Sequence, residues 1–81
     1  METRVAVIAV IVQSLDSAEG VNALLHEYSQ YIIGRMGVPY REKGLSIISI
    51  AVDAPADKIN TLAGKIGRLQ GVTAKTVYSP V

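Results

Sequence analysis

A chain of 81 residues with one histidine and no cysteine has few side chains able to do chemistry. His26 is the single imidazole. One His and no Cys leave no nucleophile–base pair to assemble within one chain, so binding is expected rather than catalysis. On a helix, His26 falls about 160° from the apolar stripe, a position that suits a solvated side chain. The same position suits a metal ligand or pH-sensitive contact completed by a second copy, because symmetry brings two imidazoles together. A basic cluster, Arg35-Met-Gly-Val-Pro-Tyr-Arg41-Glu-Lys43, offers Arg35 and Arg41 as bidentate partners for a small anion. The turn Ser14-Leu15-Asp16-Ser17 with Gly20 opens a helix, where free N–H groups can take a carboxylate.

A second kind of signal is the absence of side chains. Asn60, Gly64, Gly67 and Gly71 recur at i, i+4, i+7 and i+11, on one helical face roughly opposite the core stripe. Glycine inside a helix costs roughly 1 kcal/mol relative to alanine. Such a flat stripe admits close approach by another backbone or a ligand, so Gly64 and Gly67 are candidate oligomer or ligand contacts.

These groups must be held by some frame, and the chain supplies it in six pieces. Arg4–Gln13 carries eight consecutive Val, Ile or Ala residues and reads as a buried strand. Asp16 and Glu19 have capping-box spacing, and Val21, Leu24, Leu25, Tyr28 and Ile32 then share one helical face. Ile33–Tyr40 reads as a short, irregular strand, placed at a sheet edge by Pro39. Leu45–Val52 is a second apolar strand, and Pro55 begins a helix with Ile59, Leu62, Ala63, Ile66 and Leu69 on its inner face. Gly71 stands where a helix cap belongs, and Val72–Tyr78 is the last strand. The order βαββαβ predicts one domain over residues 1–81 with the ferredoxin-like α+β plan: a four-stranded antiparallel sheet with both helices on one face. Right-handed crossovers give strand order 4-1-3-2.

Helices on one face should leave the other wet, yet the central strands do not alternate. Val5, Val7, Ala9 and Ile11 point one way, and Ala6, Ile8, Val10 and Val12 the other. Leu45, Ile47 and Ala51 likewise oppose Ile48, Ile50 and Val52. An apolar patch of several hundred Å², more than soluble monomers usually expose, predicts a homo-oligomer built through sheet-face or sheet-edge contacts.

Composition removes several functions of this topology. Without cysteine there is no disulfide, no thiolate metal site and no Cys-x-x-Cys metal carrier. A net charge of +1 draws neither nucleic acid nor anionic lipid, and no aromatic sits on a central strand to stack a base. The segment after the first strand lacks the Arg of an acyl-phosphate hydrolase. The eight-residue run Val5–Val12 is too short and too β-branched for a leader or a membrane span, so a cytoplasmic location is expected.

Val-Asn-Ala-Leu-Leu-His-Glu-Tyr-Ser (21–29), Arg-Met-Gly-Val-Pro-Tyr-Arg-Glu (35–42), Leu-Ala-Gly-Lys-Ile-Gly-Arg-Leu-Gln-Gly-Val (62–72) and Lys-Thr-Val (75–77) resemble the family named for regulation of an iron-only hydrogenase system. The resemblance implies a stand-alone ACT-like domain, similar to the sensing half of nickel-responsive repressors. ACT domains hold amino acids or similar effectors between protomers, near the turn after the first strand. Here Asp16-Ser-Ala-Glu-Gly20 departs from their Asp-x-Pro-Gly turn. His26 alone stands where nickel sensors have several His and a Cys, so no particular metal, cofactor or effector is implied. No DNA-binding segment is expected beside the domain, so control of transcription would pass through a separate DNA-binding protein. The expected function is a homo-oligomeric regulatory module sensing a small molecule or metal. The alternative is an interaction module, without an effector, that docks through its apolar sheet face.

Overall fold

The computed structural model describes residues 2–81. Six elements appear in the expected order: β1 (Arg4–Val12), α1 (Ala18–Glu27), β2 (Ile32–Tyr40), β3 (Leu45–Ala54), α2 (Ala56–Gly67) and β4 (Val72–Tyr78). The strands form one antiparallel sheet in the order β2-β3-β1-β4, which is the ferredoxin-like arrangement. β1 and β3 are the central pair, the first with an unbroken apolar run over Val5–Val12 and the second apolar apart from Ser46 and Ser49 over Leu45–Val52.

The period-2 alternation of a strand sorts each of these runs into two faces. Ala6, Ile8, Val10 and Val12 of β1 and Ile50, Val52 and Ala54 of β3 are buried beneath the helices. There they meet Val21 and Leu25 of α1 and Ile59, Leu62 and Ile66 of α2 in one core. Val5, Val7, Met36, Val38, Tyr40, Ile47 and Val77 remain exposed. The register pairs these residues, or their strand neighbours two positions away, across the opposite face, so the uncovered side of the sheet is apolar as the sequence predicts.

Several local expectations are corrected. Leu15–Ser17 is a single 3₁₀ turn and α1 begins only at Ala18, so Asp16 makes no capping box with Glu19. A tertiary bond wins instead: the buried Ser17 hydroxyl donates to the Gln70 carbonyl at 2.5 Å. α1 closes at Glu27, with the Tyr28 N–H donating to the Leu24 carbonyl, and a 3₁₀ turn over Ser29–Tyr31 delivers Ile32 to β2. Ile32 therefore left the helical face to which its spacing assigned it, because the β-branched Ile32-Ile33 pair suits a strand.

β2 runs nine residues, longer than expected, with a bulge between Ile32 and Gly34, and it does lie at the sheet edge. Arg68, not Gly71, caps α2; Gly71 adopts φ +71° in the turn entering β4. With α2 ending at Gly67, Gly71 does not extend the glycine stripe.

Candidate functional site

Two of the sequence candidates meet in one place. His26 of α1 and Arg35 of β2 line a cleft of about 430 Å³ between the last turns of the helix and the edge strand. The cleft exists because the 3₁₀ turn after α1 swings the chain back into the sheet within a few residues, leaving the helix end and the strand start as opposing walls. Asn22 and Ser29 add polar groups, and Leu25 and Ile32 supply apolar ones. Asn22 and His26 stand four residues apart, on the same side of α1. Arg35 pairs with the buried Ile50, which fixes its side chain on the helix side of the sheet.

Among the described residues no carboxylate lines this cleft. Glu27, next to His26, is turned to α2, where its carboxylate lies 3.6 Å from Lys65 Nζ. The same ammonium stands 5.3 Å from the Tyr28 ring centroid. The Tyr28 side chain and then the Glu27 carboxylate raise the Lys65 pKa above its ordinary 10.5. Among the described residues that is the one ion pair, so neither Arg35 nor Arg41 has a carboxylate partner there.

The remaining candidates are dispersed. Arg41 lines a different cavity, about 490 Å³, with Leu15, Pro39, Gly44, Leu45 and Ser46 at the far end of the sheet. Six residues of strand place it about 20 Å from Arg35, so the two guanidiniums do not share a ligand site. Ser14 packs beneath Gly71, where an added Cβ would lie 3.0 Å from the Ser14 Cβ. Gly20 faces Leu69, whose methyl groups would stand 3.2 and 3.3 Å from a Cβ there. Both residues serve to dock the 13–20 segment on the loop before β4; Gln13 N–H donates to the Gly71 carbonyl at 2.7 Å in the same place. Asp16 is exposed.

On α2, an added Cβ at Gly64 would meet only the Arg68 guanidinium, 3.9 Å away, and one at Gly67 only the Ala74 Cβ, also 3.9 Å away. Asn60 accepts a hydrogen bond from the Tyr78 hydroxyl and so belongs to the α2–β4 packing. Among the described residues no three of His, Cys, Asp and Glu come close enough to hold a metal ion. A metal at His26 would therefore draw ligands from outside this chain.

Sequence reasoning missed Asn22, Ser29 and Gly37. Gly37 lines a second, smaller cleft of about 240 Å³ with Ala18, Asn22, Pro39 and Ile48. Asn22 belongs to both clefts, so they adjoin along α1. Helical spacing from His26 would have found Asn22, and strand alternation from Arg35 would have found Gly37 and Pro39.

Fold and topology define the class first: a ferredoxin-like α+β domain with two helices over one sheet face. Within that class the chain belongs to the TM1266-like family, described as "Iron-only hydrogenase system regulator, putative", whose model matches residues 4–76. It is also similar to a solved structure of TM1266 from Thermotoga maritima, itself described as uncharacterized. That similarity reaches 36% identity and a TM-score of 0.91 over 95% of this chain and 98% of that one. Among curated proteins nothing matches. No helix among the described residues is long and apolar enough to cross a membrane.

Proposed function

We propose that this chain is a regulatory sensing module rather than an enzyme, a homo-oligomer that takes a small ligand or a metal in the α1–β2 cleft. The observation carrying this reading is the cleft itself, where the chain's single imidazole and a guanidinium with no carboxylate partner among the described residues line one concavity of about 430 Å³. That volume lies in the range of small-molecule sites, which are concave and apolar with a few converging polar groups. Family membership supports a regulatory role in an iron-only hydrogenase system. The apolar open face supports self-association, because a patch of that kind on a lone protomer would be left in water. In a cytoplasmic setting such a module would act on transcription through a separate DNA-binding protein.

Thermal-shift screening of metal-free protein against amino acids, carboxylic acids without an amino group, nucleotides, iron and nickel tests the proposal, with mass in solution recorded in parallel. A ligand that binds only the folded state raises stability by RT ln(1 + [L]/Kd). The expected result is an oligomer whose melting temperature rises with one class of compound and no longer does so in His26→Ala or Arg35→Ala. A silent panel from a well-behaved oligomer would overturn sensing and favour a docking module that responds only to protein.

A further inference from the structure

The walls of the two adjoining clefts differ in a way that selects a ligand. On the helix side of β2 the successive residues are Arg35, Gly37 and Pro39, which pair with Ile50, Ile48 and Ser46 of β3. The corresponding positions on β1 carry Ile8, Val10 and Val12, all buried in the core. β2 thus presents a cation, then a position with no side chain, then a ring. Glycine inside a strand weakens it and commonly marks a place where a ligand or another backbone comes close. An added Cβ at Gly37 would meet nothing within 4 Å, so the space over it is open.

We infer that this groove takes a small organic anion with an apolar tail and without an ammonium group. The acid group would lie between Arg35 and His26, with Asn22 and Ser29 as further hydrogen-bonding partners. The tail would run over Gly37 toward Pro39, against Ala18 and Ile48. From Arg35 to Pro39 the strand spans about 13 Å, long enough for a medium-chain acid or a compact aryl acid. The charge pattern disfavours a zwitterion: among the described residues neither cleft is lined by Asp or Glu, and Glu27 is engaged with Lys65. An ammonium placed beside Arg35 would find like charge and no carboxylate. This inference rests on the sensing site proposed above and specifies the chemistry that site would accept.

Octanoate, 2-aminooctanoate and acetate form a matched set of probes, read by calorimetric titration and by amide chemical shifts of Asn22 and Gly37. Octanoate is expected to bind at least tenfold more tightly than either of the others. Arg35→Gln should weaken octanoate at least tenfold. A Cβ at Gly37 meets nothing within 4 Å and valine raises strand propensity, so Gly37→Val should narrow the tail groove while the protein remains folded. In that variant octanoate should bind no better than acetate does. Equal or tighter binding of 2-aminooctanoate would overturn the inference, as would octanoate binding indifferent to both substitutions. A metal that stabilises the protein through His26, with octanoate inert, would likewise overturn it while leaving the sensing module standing.

Discussion

If the open sheet face is where copies of this chain meet, charging its centre should separate them without unfolding either one. Val7 and Ile47 are suited to the test, since each points away from the core and each is 41% exposed. Val7 lies opposite Ala51 and Val77, and Ile47 opposite Ile11 and Val38. Complete burial of such a side chain is worth about 1.5–3 kcal/mol, so covering a residue still 41% open recovers roughly 0.6–1.2 kcal/mol. A pair of protomers loses four of these contacts in the double variant Val7→Lys/Ile47→Lys. The loss amounts to roughly 2.5–5 kcal/mol, or about two to four powers of ten in Kd, before repulsion between the lysines is added. Light scattering at micromolar concentration should show an oligomer for the wild type and a protomer for the variant. Far-UV circular dichroism and urea unfolding should show the fold retained. A variant running at wild-type mass, or a wild type that is itself a single protomer, would refute the reasoning, and the apolar face would then need another occupant.

Three further outcomes follow from single positions. Gly64→Ala should stabilise the protein by about 1 kcal/mol, raising Tm by roughly 4–8 °C, because the new methyl meets only the far end of Arg68. A fall in Tm or in solution mass would show that the Gly64 face is packed against another chain. Gly71→Ala should cost about 2 kcal/mol or more in denaturant titration, since φ is +71° and the Cβ would press on Ser14; a neutral result would mean that the 13–17 turn yields freely. Lys65→Met should narrow its stability difference from wild type as pH rises past 10.5. A lysine whose folded pKa is raised contributes below its unfolded value and loses that contribution as it deprotonates. A gap unchanged between pH 7 and pH 11 would assign the effect of Lys65 to packing on Tyr28 alone.

The sheet was legible because β1 and β3 announce themselves. Eight β-branched or alanine residues in a row in β1, and a run in β3 broken only by Ser46 and Ser49, read as central strands, and two such strands in a βαββαβ order leave one topology. The ends of α1 were harder to read for a physical reason. The spacing of Asp16 and Glu19 fits a local cap, but Ser17 finds a better acceptor in Gln70, 53 residues away, and the helix waits for it. At the other end, Ile32 satisfies period 3.6 counted from Val21 and also opens the β2 run. Only the reversal at Ser29–Tyr31, which lets Leu25 and Ile32 face the same cleft, decides between the two.

The site was half legible, and the missing half is instructive. His26 and Arg35 were singled out separately, by rarity and by local charge, while their meeting depends on how a three-residue turn folds the end of a helix over the start of a strand. Arg41 carries the same side chain as Arg35 and belongs to the same basic cluster, yet strand geometry sends it to another cavity. Residue type nominated both; position along β2 separated them. The glycines tell the same story. Those on α2 attract notice because a helix resists them, but the structure finds ordinary space around Gly64 and Gly67 and little else. Gly37 draws less notice in a strand already broken by Gly34 and Pro39, although it is the residue that leaves the wall between Arg35 and Pro39 open. A glycine's meaning thus depends on what its missing side chain would have filled, and for an edge strand under a short helix that volume becomes visible only when both are in place.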